Sequence, residues 1–130
     1  MRASPMVRGF AASALLGALA GGAFGQSVDS FTLYDADTDL PVAGFDPIAN
    51  GATINLADAA LPASGNLNVT ANTTPATDFG SVQFNLSGAT TRNQLENVPV
   101  WALAGDTSGD FNAMTLNTGA HTLTATPYDA

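Results

Sequence analysis

The chain has no cysteine, no lysine, one histidine, one tryptophan and one glutamate in 130 residues. Without cysteine no disulfide staples the fold, and stability has to come from an apolar core or from bound ions. Without lysine, and with only Arg2, Arg8 and Arg92 against eleven acidic residues, the formal charge is −8. An acidic surface of this kind repels phosphate backbones and anionic lipid, which argues against nucleic acid and membrane surfaces as partners. A single histidine and no thiol leave one base and no cysteine nucleophile for triad chemistry. A single glutamate forces any pair of glycosidic carboxylates, about 5 to 9 Å apart, to draw on aspartates. Outside the first 25 residues no apolar repeat of period 3.6 persists for three turns, so long amphipathic helices are excluded as well.

What is present at the start has the order of an export signal. Arg2 and Arg8 give a positive beginning, Phe10 to Ala20 is an apolar run of small residues, and Ala23 and Gly25 stand at −3 and −1 before Gln26. The run is short and glycine-rich for a membrane span of about 20 residues. Residues 1–25 are therefore expected to form a signal-peptide helix that is removed, leaving a secreted or cell-surface chain of 105 residues, Gln26–Ala130. No cysteine follows that could anchor a lipid. Removal leaves Arg92 alone against ten aspartates and Glu96, a net charge of −10.

The rest alternates with period two. Phe31 and Leu33 oppose Thr32 and Tyr34; Leu67, Val69 and Ala71 oppose Asn66, Asn68, Thr70 and Asn72; Val82, Phe84 and Leu86 oppose Gln83 and Asn85; Leu123 and Ala125 oppose Thr122, Thr124 and Thr126. Such runs are strands with one buried and one wet face, and the turn signals between them (Asp46-Pro47, Asn50-Gly51, Pro62 to Gly65, Ser87-Gly88) come at sandwich spacing. Ala89 to Val98 is a polar edge-strand candidate, and Pro99 precedes Trp101 and Leu103 on a shared face. The fold class is all-β, an antiparallel sandwich in one domain, 26–130. Three Asn-X-Ser/Thr sequons, at Asn68, Asn72 and Asn85, fall on the wet faces and act as glycan acceptors only in a host that modifies exported chains.

Three segments, Ser81 to Gly88 (SVQFNLSG), Glu96 to Leu103 (ENVPVWAL) and Gly119 to Asp129 (GAHTLTATPYD), resemble the strand C, E and F segments of bacterial immunoglobulin-like modules. Those modules recur as non-catalytic repeats or appendages of secreted enzymes and surface proteins. The resemblance runs from about Val28 onward. It implies an immunoglobulin-like sandwich with a structural, adhesive or ancillary role, whose partners are neighbouring domains of a longer protein or extracellular polysaccharide. It departs at His121, where the family commonly has an aromatic, often Tyr. It also implies a final strand G beside His121 to Tyr128, for which only Asp129 and Ala130 remain, so the module is expected to lack its last strand.

Two groups of oxygen donors stand out. Asp35, Asp37 and Asp39 alternate as at the start of a calcium loop, though Leu40, followed by Pro41, stands at the sixth position in place of Gly and no Glu stands at the twelfth, which excludes an EF-hand. Asp106, Asp110 and Asn112 lie in the glycine-hinged segment GDTSGDFN. Calcium is one use of both clusters; turn formation by Asp and Asn is the other. Among aromatics, Trp101 is a core anchor or part of a carbohydrate platform, and Phe111 and Tyr128 are the surface candidates. A carbohydrate-binding module of a polysaccharide-active enzyme is the alternative function, and no catalytic set is assembled in this chain.

Overall fold

The computed structural model describes residues 6–14, 27–74 and 80–128, the first of these as backbone course only. The expected cleavage point before Gln26, the link through Pro75 and the two final residues lie outside them. Among the described residues ten strands follow in chain order: β1 Met6–Ala14, β2 Ser27–Asp35, β3 Leu40–Pro41, β4 Ala52–Asn55, β5 Leu67–Thr74, β6 Ser81–Gly88, β7 Arg92–Glu96, β8 Asp106–Thr107, β9 Asp110–Phe111 and β10 Gly119–Tyr128. No helix occurs among the described residues, and none there is long and apolar enough to cross a membrane.

The strands form one sheet in the order β4-β1-β10-β6-β7, a second in the order β3-β2-β5, and a small ribbon, β8-β9. All pairings are antiparallel except β1 with β10. The alternating residues explain how the two large sheets meet. Phe31 and Leu33 of β2 and Leu67, Val69 and Ala71 of β5 share one core with Val82, Phe84 and Leu86 of β6, Leu123 and Ala125 of β10 and Ile54 of β4. The Phe31 and Phe84 rings approach to 6.5 Å in a tilted arrangement. Each valine, leucine, isoleucine or phenylalanine among them, fully withdrawn from water, contributes about 1.5 to 3 kcal/mol. The architecture is all-β and sandwich-like, as the alternation indicates.

Trp101 and Leu103 enter the same core beside β5, although their segment is not a regular strand. Its backbone nevertheless docks along the free edge of β5: Ala71 N–H donates to Trp101 C=O at 2.9 Å, Leu103 N–H to Val69 C=O at 2.8 Å, and Leu67 and Met114 exchange a pair of bonds. Ala89 to Val98 does supply the edge strand, as β7. At the far end of β6, Gly88 sits at φ 108°, and a Cβ there would lie 2.2 Å from Ala120 C=O. Only glycine lets β6 close on β10 at this point.

Two expectations are corrected. Residues 6–14 are not helical: they form β1, parallel to β10 and antiparallel to β4. A short apolar run satisfies a helix or a buried strand equally well, and here the adjacent ladders of β4 and β10 decide for strand. Second, β2 and β5 do not keep a wet outer face. Thr32, Asn68 and Thr70 are all buried, Asn68 completely: residues 104–112 close over Asn68, Thr70 pairs with Ala102 at the edge of β5, and Thr32 is bonded to Asp46 and Asn72. A completely buried Asn68 is no glycan acceptor in the folded chain; Asn72 is half-buried and Asn85 exposed.

Candidate functional site

The polar residues of the sequence converge at one end of the sandwich, where the turn after β2, the loop before β5 and the 104–112 segment meet. Asn68 is their centre. Its Nδ2 donates to Gly105 C=O at 3.0 Å and Asn112 C=O at 2.9 Å, while its Oδ1 accepts from Ala104 N–H at 2.9 Å and Val69 N–H at 2.8 Å. A buried amide with all of these contacts stands in for a strand neighbour, fixing a loop that has no ladder of its own. Asn112 strengthens the closure through Nδ2 to Ala104 C=O at 3.2 Å and its own N–H to Gly105 C=O at 3.1 Å.

The acidic candidates take part in this closure as hydrogen-bond acceptors. Asp35 Oδ1 accepts Asp37 N–H at 2.8 Å and Thr38 N–H at 3.3 Å, a local Asx turn. Asp37 reaches across to the loop before β5, accepting from Ser64 Oγ at 2.6 Å and Asn66 Nδ2 at 2.9 Å, and these two bonds hold its carboxyl below the usual range. Asp39 adopts φ 60°, a left-handed conformation that Asp and Asn tolerate, and its Oδ1 accepts Phe111 N–H at 3.0 Å. Asp106 Oδ2 accepts Gly109 N–H at 2.7 Å across the β8-β9 turn, while Asp110 lies exposed in β9. The two sequence clusters are thus neighbours, joined by Asp39. Their carboxylates are not gathered around a common point, and no group of three or more His, Cys, Asp or Glu suited to a metal occurs among the described residues. As arranged, the donor set does not fit a calcium ion, which needs 6 to 8 converging oxygens.

The aromatic candidates separate. Trp101 is buried in the core, and Phe111, expected at the surface, is also buried, its ring 4.7 Å from that of Tyr34 under the returning loop. Tyr128 is 44% exposed at the end of β10. A shallow hollow of about 290 Å³ lies over β5, lined by Tyr34, Thr70, Asn72, Thr73, Pro99 and Val100 among others. Its walls are hydroxyls, an amide and apolar carbons, without a carboxylate.

Sequence reasoning missed three residues that the structure makes central. Asn68 reads as one of four outward polar residues on β5, and only the loop from residues 104–112, far along the chain, buries it. Arg92 enters the sequence only as the one basic residue after the leader; its Nε donates to Leu103 C=O at 2.9 Å and ties β7 to the docked segment. Glu96, half-buried, has its carboxyl pushed up chiefly by burial and further by nearby Asp106, against the downward pull of Gln94, the Ala102 backbone and Arg92. His121 behaves as a satisfied strand histidine. Gly119 C=O, 3.2 Å from Nδ1, can only accept, so the ring carries its proton there; Nε2 then accepts from Thr90 Oγ1 at 2.8 Å. Thr90 Oγ1 in turn accepts Asn117 N–H at 2.9 Å. Burial holds the imidazole below its ordinary pKa.

Comparison of the chain with protein-family models, with curated proteins and with solved structures finds no match.

Proposed function

We propose that the chain is an exported, non-catalytic module of immunoglobulin-like kind with a structural, adhesive or ancillary role beside other domains of a longer protein. The observation that carries this reading is the use to which the polar residues are put. Asn68, Arg92, His121, Asp35, Asp37 and Asp39 all spend their hydrogen-bonding capacity on closing the sandwich and its loops. A chemistry site instead gathers polar groups whose environments push their pKa values apart around a concavity. The hollow over β5 has no titratable group facing another across it apart from the phenol of Tyr34.

That hollow favours the second reading, a carbohydrate-binding module, since hydroxyls, an amide and a tyrosine edge are the groups that contact sugars in shallow sites. Retention of the full chain on insoluble cellulose, chitin and xylan separates the two. A structural or adhesive module passes through unretained and releases no sugar. Retention that disappears on Asn72→Ala assigns the hollow to polysaccharide, and release of soluble sugar overturns the non-catalytic reading.

A further inference from the structure

β1 occupies a peculiar place. Its neighbours β4 and β10 do not bond each other; they stand one strand apart, and β1 pairs with both, Met6 and Val7 opposite Asn55 and Ile54 on one side, Ala11 to Ala14 opposite Thr122 to Ala125 on the other. The direction of the β10 backbone groups follows from its other partner. Ala120 C=O and Tyr128 C=O accept from the β6 side, so alternation turns the amides of His121, Leu123 and Ala125 toward β1. These residues also carry the inward side chains of β10. Yet β1 lies within residues 1–25, the stretch with the order of a removable leader. Once that stretch leaves, two facing ladder edges and part of the core beneath them lose their cover.

We propose that the position between β4 and β10 is a strand-acceptor site which, in the exported chain, takes an extended segment of a separate polypeptide, rich in small and apolar residues and running parallel to β10. This rests on the reading of residues 1–25 as a leader. Three features choose the occupant. The site is walled on both sides, so the edge strand of a second folded copy cannot enter it; a free segment can. The strand it holds is parallel to β10, whereas a tight hairpin continuing from β10 returns antiparallel. β4 (ATIN) and β10 (GAHTLTATPY) carry no Asp, Glu, Lys or Arg, and the strand seated between them, MVRGFAASA, is composed of small and apolar residues apart from Arg8, so the walls suit a small, apolar segment. Recognition is then by main-chain bonds to both walls, with alternate side chains entering the core.

The test starts from the full chain with a protease recognition sequence inserted between residues 15 and 26. After folding and cleavage, the nicked protein is incubated with an excess of a fluorescent peptide of sequence MVRGFAASA, residues 6–14, and passed over a sizing column. One label per chain is expected, and the same peptide with Ala12→Pro, which cannot complete an interior ladder, binds about tenfold more weakly or worse. Unfolding of the remainder when the cleaved segment is dialysed away, reversed by the peptide, also supports the site. The proposal is overturned if the remainder stays monomeric with an unchanged melt and takes no label. Dimerisation that excludes the peptide, unfolding that the peptide does not reverse, or equal uptake of the proline peptide overturns it too.

Discussion

The ladders beside β5, at the edge of one sheet, and beside β10, in the middle of the other, are closed in opposite ways. Along β5 the chain closes its own edge: residues 101–104 and Met114 bond the strand, and Asn68, Asn112 and Asp39 hold the return loop in place. Along β10 the closing strand is β1, the one strand of its sheet drawn from the leader-like stretch. The first closure is built from side-chain amides and carboxylates specific to single positions. The second uses backbone groups, which many sequences supply. An edge closed by position-specific side chains stays with its own loop, whereas an edge closed by backbone is open to exchange.

The largest effect on the β5 side is expected at Asn68. Asn68→Ala strands the buried Ala104 N–H and takes one donor from each of the Gly105 and Asn112 carbonyls, and a cost of about 3 kcal/mol follows. Chemical denaturation of the full chain measures it. Asn68→Asp should not rescue, because it sets a buried carboxylate oxygen against the two carbonyls that now accept from Nδ2. A loss under about 0.5 kcal/mol, the range of ordinary surface substitutions, would remove Asn68 from the closure.

Next comes the β10 side, through His121. Burial lowers its folded pKa beneath the ordinary 6.5, so the folded state holds its proton less tightly than the unfolded chain. The stabilisation is fully present above pH 6.5 and is lost as pH falls below it toward the folded value. Glu96 works against this, because its raised carboxyl favours the folded state as pH drops. The lowered carboxyls of Asp29 and Asp37 matter only beneath their ordinary 3.8. Comparing the melting temperature of wild type and His121→Gln between pH 7 and pH 5 therefore isolates the imidazole. The wild type should fall more steeply.

Smallest is the link between the two acidic turns. Asp39→Ala removes the acceptor for Phe111 N–H and places a residue with no local hydrogen-bonding group at φ 60°, for about 1 to 2 kcal/mol. Asp39→Asn keeps both the acceptor and the tolerance and should stay within about 0.5 kcal/mol of wild type. With the carboxylates spent on these bonds, melting in millimolar calcium and in chelator should coincide; a rise in calcium by mass action would require Asp35 to Asp39 or Asp106 to Asn112 to regroup.

The alternating runs of β2, β5, β6 and β10 were legible because a two-residue period writes the core face directly into the sequence. Their second face was not. Whether Asn68 meets water depends on a loop folding back from residues 104–112, and nothing local to β5 records that. Phe111 misleads for the same reason: glycine and aspartate around it mark a surface loop, yet the ring turns inward onto Tyr34. Asp35, Asp37 and Asp39 announce oxygen donors at alternate positions, but only three dimensions show that their carboxylates point to three different partners. β1 was ambiguous in principle, since a run of small apolar residues obeys the helix and strand templates alike and the vacant ladders beside it cast the vote.

Native-state amide exchange on the full chain, with and without Ala12→Pro in β1, tests the contrast most directly. The account predicts that His121, Leu123 and Ala125 lose protection in the variant while Leu67, Ala71, Leu103 and Met114, bonded along β5, keep theirs. Unchanged protection at His121, Leu123 and Ala125 would contradict it, because β10 would then be closed by something other than residues 6–14.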